Sequence, residues 1–189
     1  MNGHRNWQYI DETARREWQN PEIVLKTLGL KPGFIFVDVG CGDGFFTLPA
    51  ARLVGPAGKV LGIDISSQAI DSIRKKARKE GLANLELIIG KAEEVVPCSA
   101  CADVVFFGNV LHDFQIPTKV VNNARSMVKP IGKLANLDWK KTLTDFGPPL
   151  AKRFDQATAM GLIESAGFKV ESVSESGNYH YLIIAGPVS

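Results

Sequence analysis

Three glycines at alternate positions, Gly40, Gly42 and Gly44, follow an apolar run over residues 34–39 and precede a second apolar stretch over residues 45–54. Glycine has no Cβ, so such a loop turns sharply and lets a ligand lie against the backbone. Twenty residues after Gly44 comes Asp64, a carboxylate able to accept both hydroxyls of a ribose. Those features suit any nucleoside, and two others narrow the choice. The dinucleotide fingerprint G-x-G-x-x-G/A needs a small residue at its sixth position, where this chain has Phe45. Asp38 and Asp43 also bring negative charge to the loop, which repels a pyrophosphate and attracts a cation. A sulfonium nucleoside carrying an ammonium group fits these residues better than a dinucleotide does.

Other residues with chemistry to offer lie further on. His112 titrates near neutrality and is the first candidate for a general base, with Asp113 second and His180 third. The alternative for His112 is a packing or helix-start role. Trp139 and Phe154 read as walls of a substrate pocket, and Tyr179 and His180 as residues overlooking it.

All of these need a scaffold. Residues 34–39, rich in β-branched and aromatic types, read as a buried central strand, and residues 45–54 as the helix after the glycine loop. Pro49 is tolerated in the first turn of that helix. Further strands are expected at 60–64, 85–89, 103–107 and 132–137. Ser66 or Ser67 caps a helix running to Glu80. Pro117 opens another, which Lys129 and Pro130 stop. A helix burying Ala159, Leu162, Ile163 and Ala166 ends at Gly167. Two last strands, 168–174 and 179–185, form a hairpin about Gly177 and Asn178. Strand and helix alternate before that hairpin, which predicts an α/β fold with a doubly wound parallel sheet. Ligands of such sheets bind beyond the carboxyl ends of the strands. Residues 40–44, Asp64, 90–93, 109–113, Asp138 and Trp139 therefore converge on one rim. Residues 1–30, which include Trp7, Tyr9 and Trp18, read as a helical appendage on a single domain spanning 1–189. It is either a packing arm or a lid.

The composition sets outer limits. A chain of 189 residues with 45% hydrophobic content supports one globular domain. Its net charge of +2 is too weak to point to nucleic acid or an anionic membrane as partner. The basic cluster over residues 74–79 reads as a solvated helix face. No apolar run is long enough to span a membrane, and the polar start of the chain excludes a secretory signal, so a cytoplasmic protein is expected. Three cysteines are too few for a disulfide framework. Cys98-x-x-Cys101 has metal-ligand spacing, but no second pair completes a zinc site. No metal is expected, and the cysteines read as ordinary small residues. Thiolate chemistry on a soft metalloid, with Cys41 nearby, is the alternative.

Four motifs together carry a resemblance: VDVGCGDG at 37–44, GID at 62–64, GKAEEV at 90–95 and FGNVLHDF at 107–114. They resemble the class I S-adenosylmethionine-dependent methyltransferases, most closely the small-molecule branch typified by the ubiquinone and menaquinone C-methyltransferases. The resemblance extends over roughly residues 20–185. It implies a Rossmann-like seven-stranded sheet of order 3-2-1-4-5-7-6 with strand seven antiparallel, and S-adenosyl-L-methionine as cofactor. Carried onto this chain, it places Gly40, Cys41 and Gly42 against the methionine part, and Asp38 at its amino group through the loop or a water. Asp64 takes the ribose hydroxyls, Ile65 packs on adenine and the Ala92 N–H meets the adenine ring. Members of the family often have an aspartate before that alanine. Here Lys91 cannot accept, and Glu93 or a carbonyl takes its place. Asn109 lines the methionine and methyl end.

The implied reaction asks little of side chains. Methyl transfer is an in-line displacement whose rate comes mainly from holding the reactants aligned. A base is needed only where the acceptor must lose a proton. The expected protein is a methyltransferase acting on a small molecule. The alternatives are an S-adenosylmethionine-binding domain that is catalytically idle and serves as a partner or sensor, and a nicotinamide-dependent oxidoreductase.

Overall fold

A computed structural model describes residues 12–188, so Trp7 and Tyr9 lie outside the described residues. Two short helices, α1 (Glu12–Trp18) and α2 (Pro21–Thr27), lead into β1 (Ile35–Val39). Asn20 caps α2 by accepting from the Ile23 N–H, and Pro21 takes the first helical position. The apolar side of α2, Val24 and Leu25, shares a core cluster with Phe36, Phe45 and Phe46, which ties the arm to the sheet. There follow α3 (Thr47–Val54), β2 (Lys59–Asp64), α4 (Ser67–Glu80), β3 (Leu85–Ile89), β4 (Ala102–Gly108), α5 (Pro117–Met127), β5 (Val128–Trp139), α6 (Gln156–Ser165), β6 (Phe168–Ser176) and β7 (His180–Pro187).

All seven strands join one sheet in the order β3-β2-β1-β4-β5-β7-β6. The first five run parallel, and β7 is antiparallel to both β5 and β6. This is the doubly wound α/β arrangement that the alternating pattern predicts. β1 and β4 lie at its centre and are buried on both faces, as their continuous apolar runs require. One core face holds α5 and α6 side chains such as Val120, Val121 and Ile163, and the other holds α2 and α3 side chains such as Leu25 and Val54. Ser66 caps α4 by accepting from Ala69 N–H, and Gly81 ends it in the left-handed conformation.

Several boundaries differ from the sequence expectation. β5 begins at Val128 rather than 132, because its pairing with β4 shifts register between Val128 and Lys133. That irregularity houses Pro130, which has no N–H to give to a ladder. No helix crosses between β3 and β4, whose connection over residues 90–101 is irregular. The closing hairpin turns over three residues, 177–179, and both its strands run longer than expected.

The cysteine reading needs correction. Cys98 and Cys101 are joined as a disulfide. The chain doubles back at Ala100 (φ +46), where the N–H groups of Ala100 and Cys101 donate to Ser126 and Met127 carbonyls. The two Cα atoms come to 5.9 Å, a separation that a disulfide spans. Cys41 is a free buried thiol packed with Leu48, Ile70 and Ile73, and burial pushes its pKa up. Among the described residues, no group of three or more His, Cys, Asp or Glu side chains is placed to hold a metal ion, and no helix is long and apolar enough to cross a membrane.

Candidate active site

Two cavities open beyond the carboxyl ends of β1, β2 and β4. The first, of about 250 Å³, is bounded by Asp64, Ile65, Lys91, Ala92 and Glu93. Asp64 stands at the end of β2 with both oxygens held. Oδ2 accepts from the Gly42 N–H and Oδ1 from the Ser66 N–H, each at 2.8 Å. Each carboxylate oxygen keeps a second lone pair, so two hydroxyls can still donate to it. Gly42 adopts φ +53 to aim its N–H at Asp64, and Gly40 adopts φ +73. A Cβ on Gly40 would meet Val110 Cγ2 at 2.5 Å, so only glycine fits there.

Ile65 is 66% exposed on the wall of this cavity, an apolar surface suited to a flat ring. Lys91 is also exposed, its Nζ 3.9 Å from Glu94. One Glu93 oxygen accepts from the Gln115 and Ile116 N–H groups just ahead of α5, leaving its other oxygen without those partners. Asn123 holds the Ala92 carbonyl at 2.8 Å. Gln115, a residue with a side-chain amide that the sequence did not single out, lines the same cavity.

The second cavity, of about 160 Å³, is bounded by Arg15, Asp38, Cys41 and Asn109. Cys41 lines it while its thiol packs into the α3–α4 cluster. Asp38 is buried and accepts from the Thr47 hydroxyl at 2.7 Å. Burial pushes its pKa up to about 7, against the Thr47 bond and the charge of Arg15 and with the help of Asp64. Arg15 reaches in from α1, its guanidinium 3.8 Å from the centre of the Phe45 ring and its Nε donating to Gln19 at 2.9 Å. Burial pulls the Arg15 pKa down to about 10 despite the charges of Asp43, Asp38 and Glu12. Gln19 and Asn109 exchange amide hydrogen bonds at 3.0 and 3.4 Å, and Asn109 has φ +60, which asparagine tolerates. Sequence reasoning missed Arg15 and Gln19. Their one available signal was a basic and an amide residue on an arm ahead of the sheet.

Gly40, Val110 and Asp113 line both cavities. The first two of the three base candidates are placed differently. His112 and Asp113 occupy a single 3-10 turn after β4. The imidazole of His112 is wholly buried, its Nδ1 2.7 Å from Asp138 Oδ1 and its Nε2 without a hydrogen-bond partner. Burial favours the neutral ring, but the Asp138 bond and the charges of Asp138 and Asp113 outweigh it, so His112 keeps its proton above the ordinary range. Asp113, by contrast, faces the cavities.

The aromatic candidates sit elsewhere on the rim. Trp139 and His180 are neighbours on β5 and β7, buried at 2% and 0% exposure. His180 stacks on Trp18 with centroids 5.5 Å apart, and Trp139 lies against Phe146 and the Arg153 guanidinium. Burial, with Arg15, Arg153 and Lys140 adding to it, drives the His180 pKa down to about 3. Tyr179 is half-buried, edge-on to Trp18 and Phe146. Phe154 is also half-buried, and its carbonyl accepts from the Tyr181 hydroxyl. Trp139 and His180 thus fill a packed box and line neither of the two cavities.

The doubly wound sheet with two adjoining cavities at its carboxyl rim is a Rossmann-like arrangement. Residues 30–180 match the family described as "Methyltransferase domain". The chain belongs to that family, the class I S-adenosylmethionine-dependent methyltransferases. A crystal structure of a SAM-dependent methyltransferase from Aquifex aeolicus superposes with a TM-score of 0.87 at 31% identity, over 95% of this chain and 100% of that one. The chain is 30% identical over 170 residues to the ubiquinone/menaquinone biosynthesis C-methyltransferase UbiE of Vibrio campbellii, covering 89% of this chain and 62% of that one. It is 31% identical over 124 residues to the demethylmenaquinone methyltransferase of Geobacillus sp. (strain WCH70), covering 66% of this chain and 53% of the relative. The chain therefore spans roughly half to three-fifths of the length of these curated relatives.

Proposed function

We propose that this chain transfers a methyl group from S-adenosylmethionine to a small-molecule acceptor at the rim between β1 and β4. The observation that carries the reading is the pairing of the two cavities. One presents Asp64 to a ribose, and the other sets Asp38 and Arg15 against the ammonium and carboxylate of an α-amino acid. When bound, the cofactor supplies an electrophilic methyl group, and the residues of the chain only have to bind, orient and shield. Ile65 and Ala92 take the adenine. Glu93 or Gln115, rather than Lys91, accepts from its amino group. Arg15 and the Gln19–Asn109 amide pair close the amino-acid end with side chains from the arm, so the described part of the arm, residues 12–30, acts as part of the site on a single domain. Where the acceptor has a proton to lose, Asp113 is the carboxylate that faces it, with His112 behind. Phe154 and Tyr179, both half-buried, remain available to an acceptor.

The names of the quinone-methylating relatives support a small molecule rather than a macromolecule as acceptor, and the weak net charge agrees. We place the protein in the cytoplasm on its composition. The test is transfer of labelled methyl from S-adenosylmethionine into a small-molecule metabolite extract. The expected result is a labelled product whose formation requires Asp64. Cofactor binding with no labelled product in any fraction would instead support the idle domain. Binding of a nicotinamide dinucleotide in place of S-adenosylmethionine would support the oxidoreductase.

A further inference from the structure

A cofactor whose nucleoside occupies one cavity and whose amino acid occupies the other has its sulfur where the two meet. The residues common to both are Gly40, Val110 and Asp113. Gly40 has no side chain and Val110 is apolar, so Asp113 supplies the charge at that junction. Its carboxylate is steadied from two sides. Lys152 Nζ lies 3.3 Å from Oδ1, and His112 Nε2, buried and with no hydrogen-bond partner, lies 3.6 Å from Oδ2. The His112 ring is itself fixed by its bond to Asp138.

We propose that Asp113 is the counter-ion of the cofactor's sulfonium, and that this contact raises the protein's affinity for the charged cofactor relative to the neutral demethylated product. The proposal rests on the cofactor reading above. On transfer the C–S electron pair stays with sulfur, the sulfur loses its charge, and the attraction to Asp113 goes with it. The product lacks that contribution, which aids its exchange for fresh cofactor. Lys152, whose side chain is 62% exposed, competes for the same carboxylate and tempers the preference. The Asp113 side chain is 32% exposed, so water and salt screen the effect without abolishing it.

Calorimetric titration with S-adenosylmethionine and with S-adenosylhomocysteine, at low ionic strength, gives the ratio of the two affinities. Asp113→Asn should move the ratio toward S-adenosylhomocysteine by about fivefold, the scale of one partly screened charge contact. Lys152→Gln should move it the other way. A variant that merely distorts the site weakens both ligands together and leaves the ratio alone. A ratio shifted less than twofold by Asp113→Asn, or shifted toward S-adenosylmethionine, overturns the proposal while the cofactor reading stands. Failure of both ligands to bind wild-type protein overturns the two together.

Discussion

The carboxyl rim of this sheet has two halves built on opposite plans. Beside β1, β2 and β4 the chain removes side chains. Glycine turns bring backbone to the surface, and the polar groups present there, Asp64, Asp38 and Arg15, face open space. Beside β5 and β7 it adds them. Trp18, Trp139, Phe146, Tyr179 and His180 pack ring on ring. The guanidinium of Arg153 ties the loop over them by donating to the carbonyls of Lys140, Thr142, Phe146 and Pro148 and to the Thr144 hydroxyl. Both halves contain buried charge and aromatic rings, so residue type does not tell them apart. What separates them is whether the charged groups face a cavity or are closed in by the protein's own atoms. Arg153 spends its guanidinium on the backbone of one loop, whereas Arg15, bonded through its Nε to neutral Gln19, faces a cavity.

That contrast can be broken by substitution, and the largest effect should come from the filled half. Arg153→Gln leaves several buried carbonyls short of a donor and should cost roughly 3 kcal/mol or more in urea unfolding. Affinity for S-adenosylhomocysteine should stay within about threefold of wild type, since Arg153 is buried away from both cavities. A loss confined to ligand binding would reverse the assignment of the two halves. Asp64→Ala belongs to the open half. It should weaken S-adenosylhomocysteine by roughly 2 kcal/mol in calorimetry, the scale of a charge-assisted bond to ribose, with a smaller change in unfolding. Arg15→Gln should weaken the same ligand by about 1–1.5 kcal/mol and leave 5′-methylthioadenosine, which lacks the carboxylate, nearly unaffected. Equal losses on the two ligands would mean that Arg15 serves only to dock the arm.

The smallest net effect is the pH dependence, because the halves oppose each other. Asp38 has its folded pKa raised to about 7, so the stability it contributes is present below about pH 4 and is lost as pH rises through 7. His180 has its folded pKa lowered to about 3, so its contribution is present above about pH 6.5 and is lost as pH falls toward 3. Between those limits the two slopes have opposite sign, and wild-type stability should change little from this pair. Asp38→Asn should expose a protein that loses stability on acidification, and His180→Phe one that gains it. Urea midpoints at pH 4.5, 5.5 and 6.5 read the difference, and parallel curves for both variants would remove the contrast.

Much of this was legible in the sequence, and the limit was physical. The glycine loop, Asp64 and residues 90–93 and 109–113 could be read because each follows a strand directly, and strand ends in a doubly wound sheet share a rim. Arg15 and Gln19 could not. Gln19 meets Asn109 across 90 residues of chain, and no local spacing encodes that contact. The role of His112 was half visible for the same reason. Its type suggests a base, but its burial depends on Asp138, 26 residues away on β5. By type and position Trp139 reads as a pocket wall and His180 as overlooking the pocket, whereas their packing depends on Trp18 and on a loop whose course no short motif announces. The Cys98–Cys101 pairing turned on the backbone reversal at Ala100, which alanine does not signal.

The reading as a whole depends on two cavities acting as one seat, and a crystal structure of the complex with S-adenosylhomocysteine tests that directly. The account predicts adenine against Ile65, ribose hydroxyls on Asp64, sulfur beside Asp113 and carboxylate on Arg15. A complex with the ligand bound away from these four residues, or with the seat closed by the protein's own side chains at saturating ligand, would contradict it.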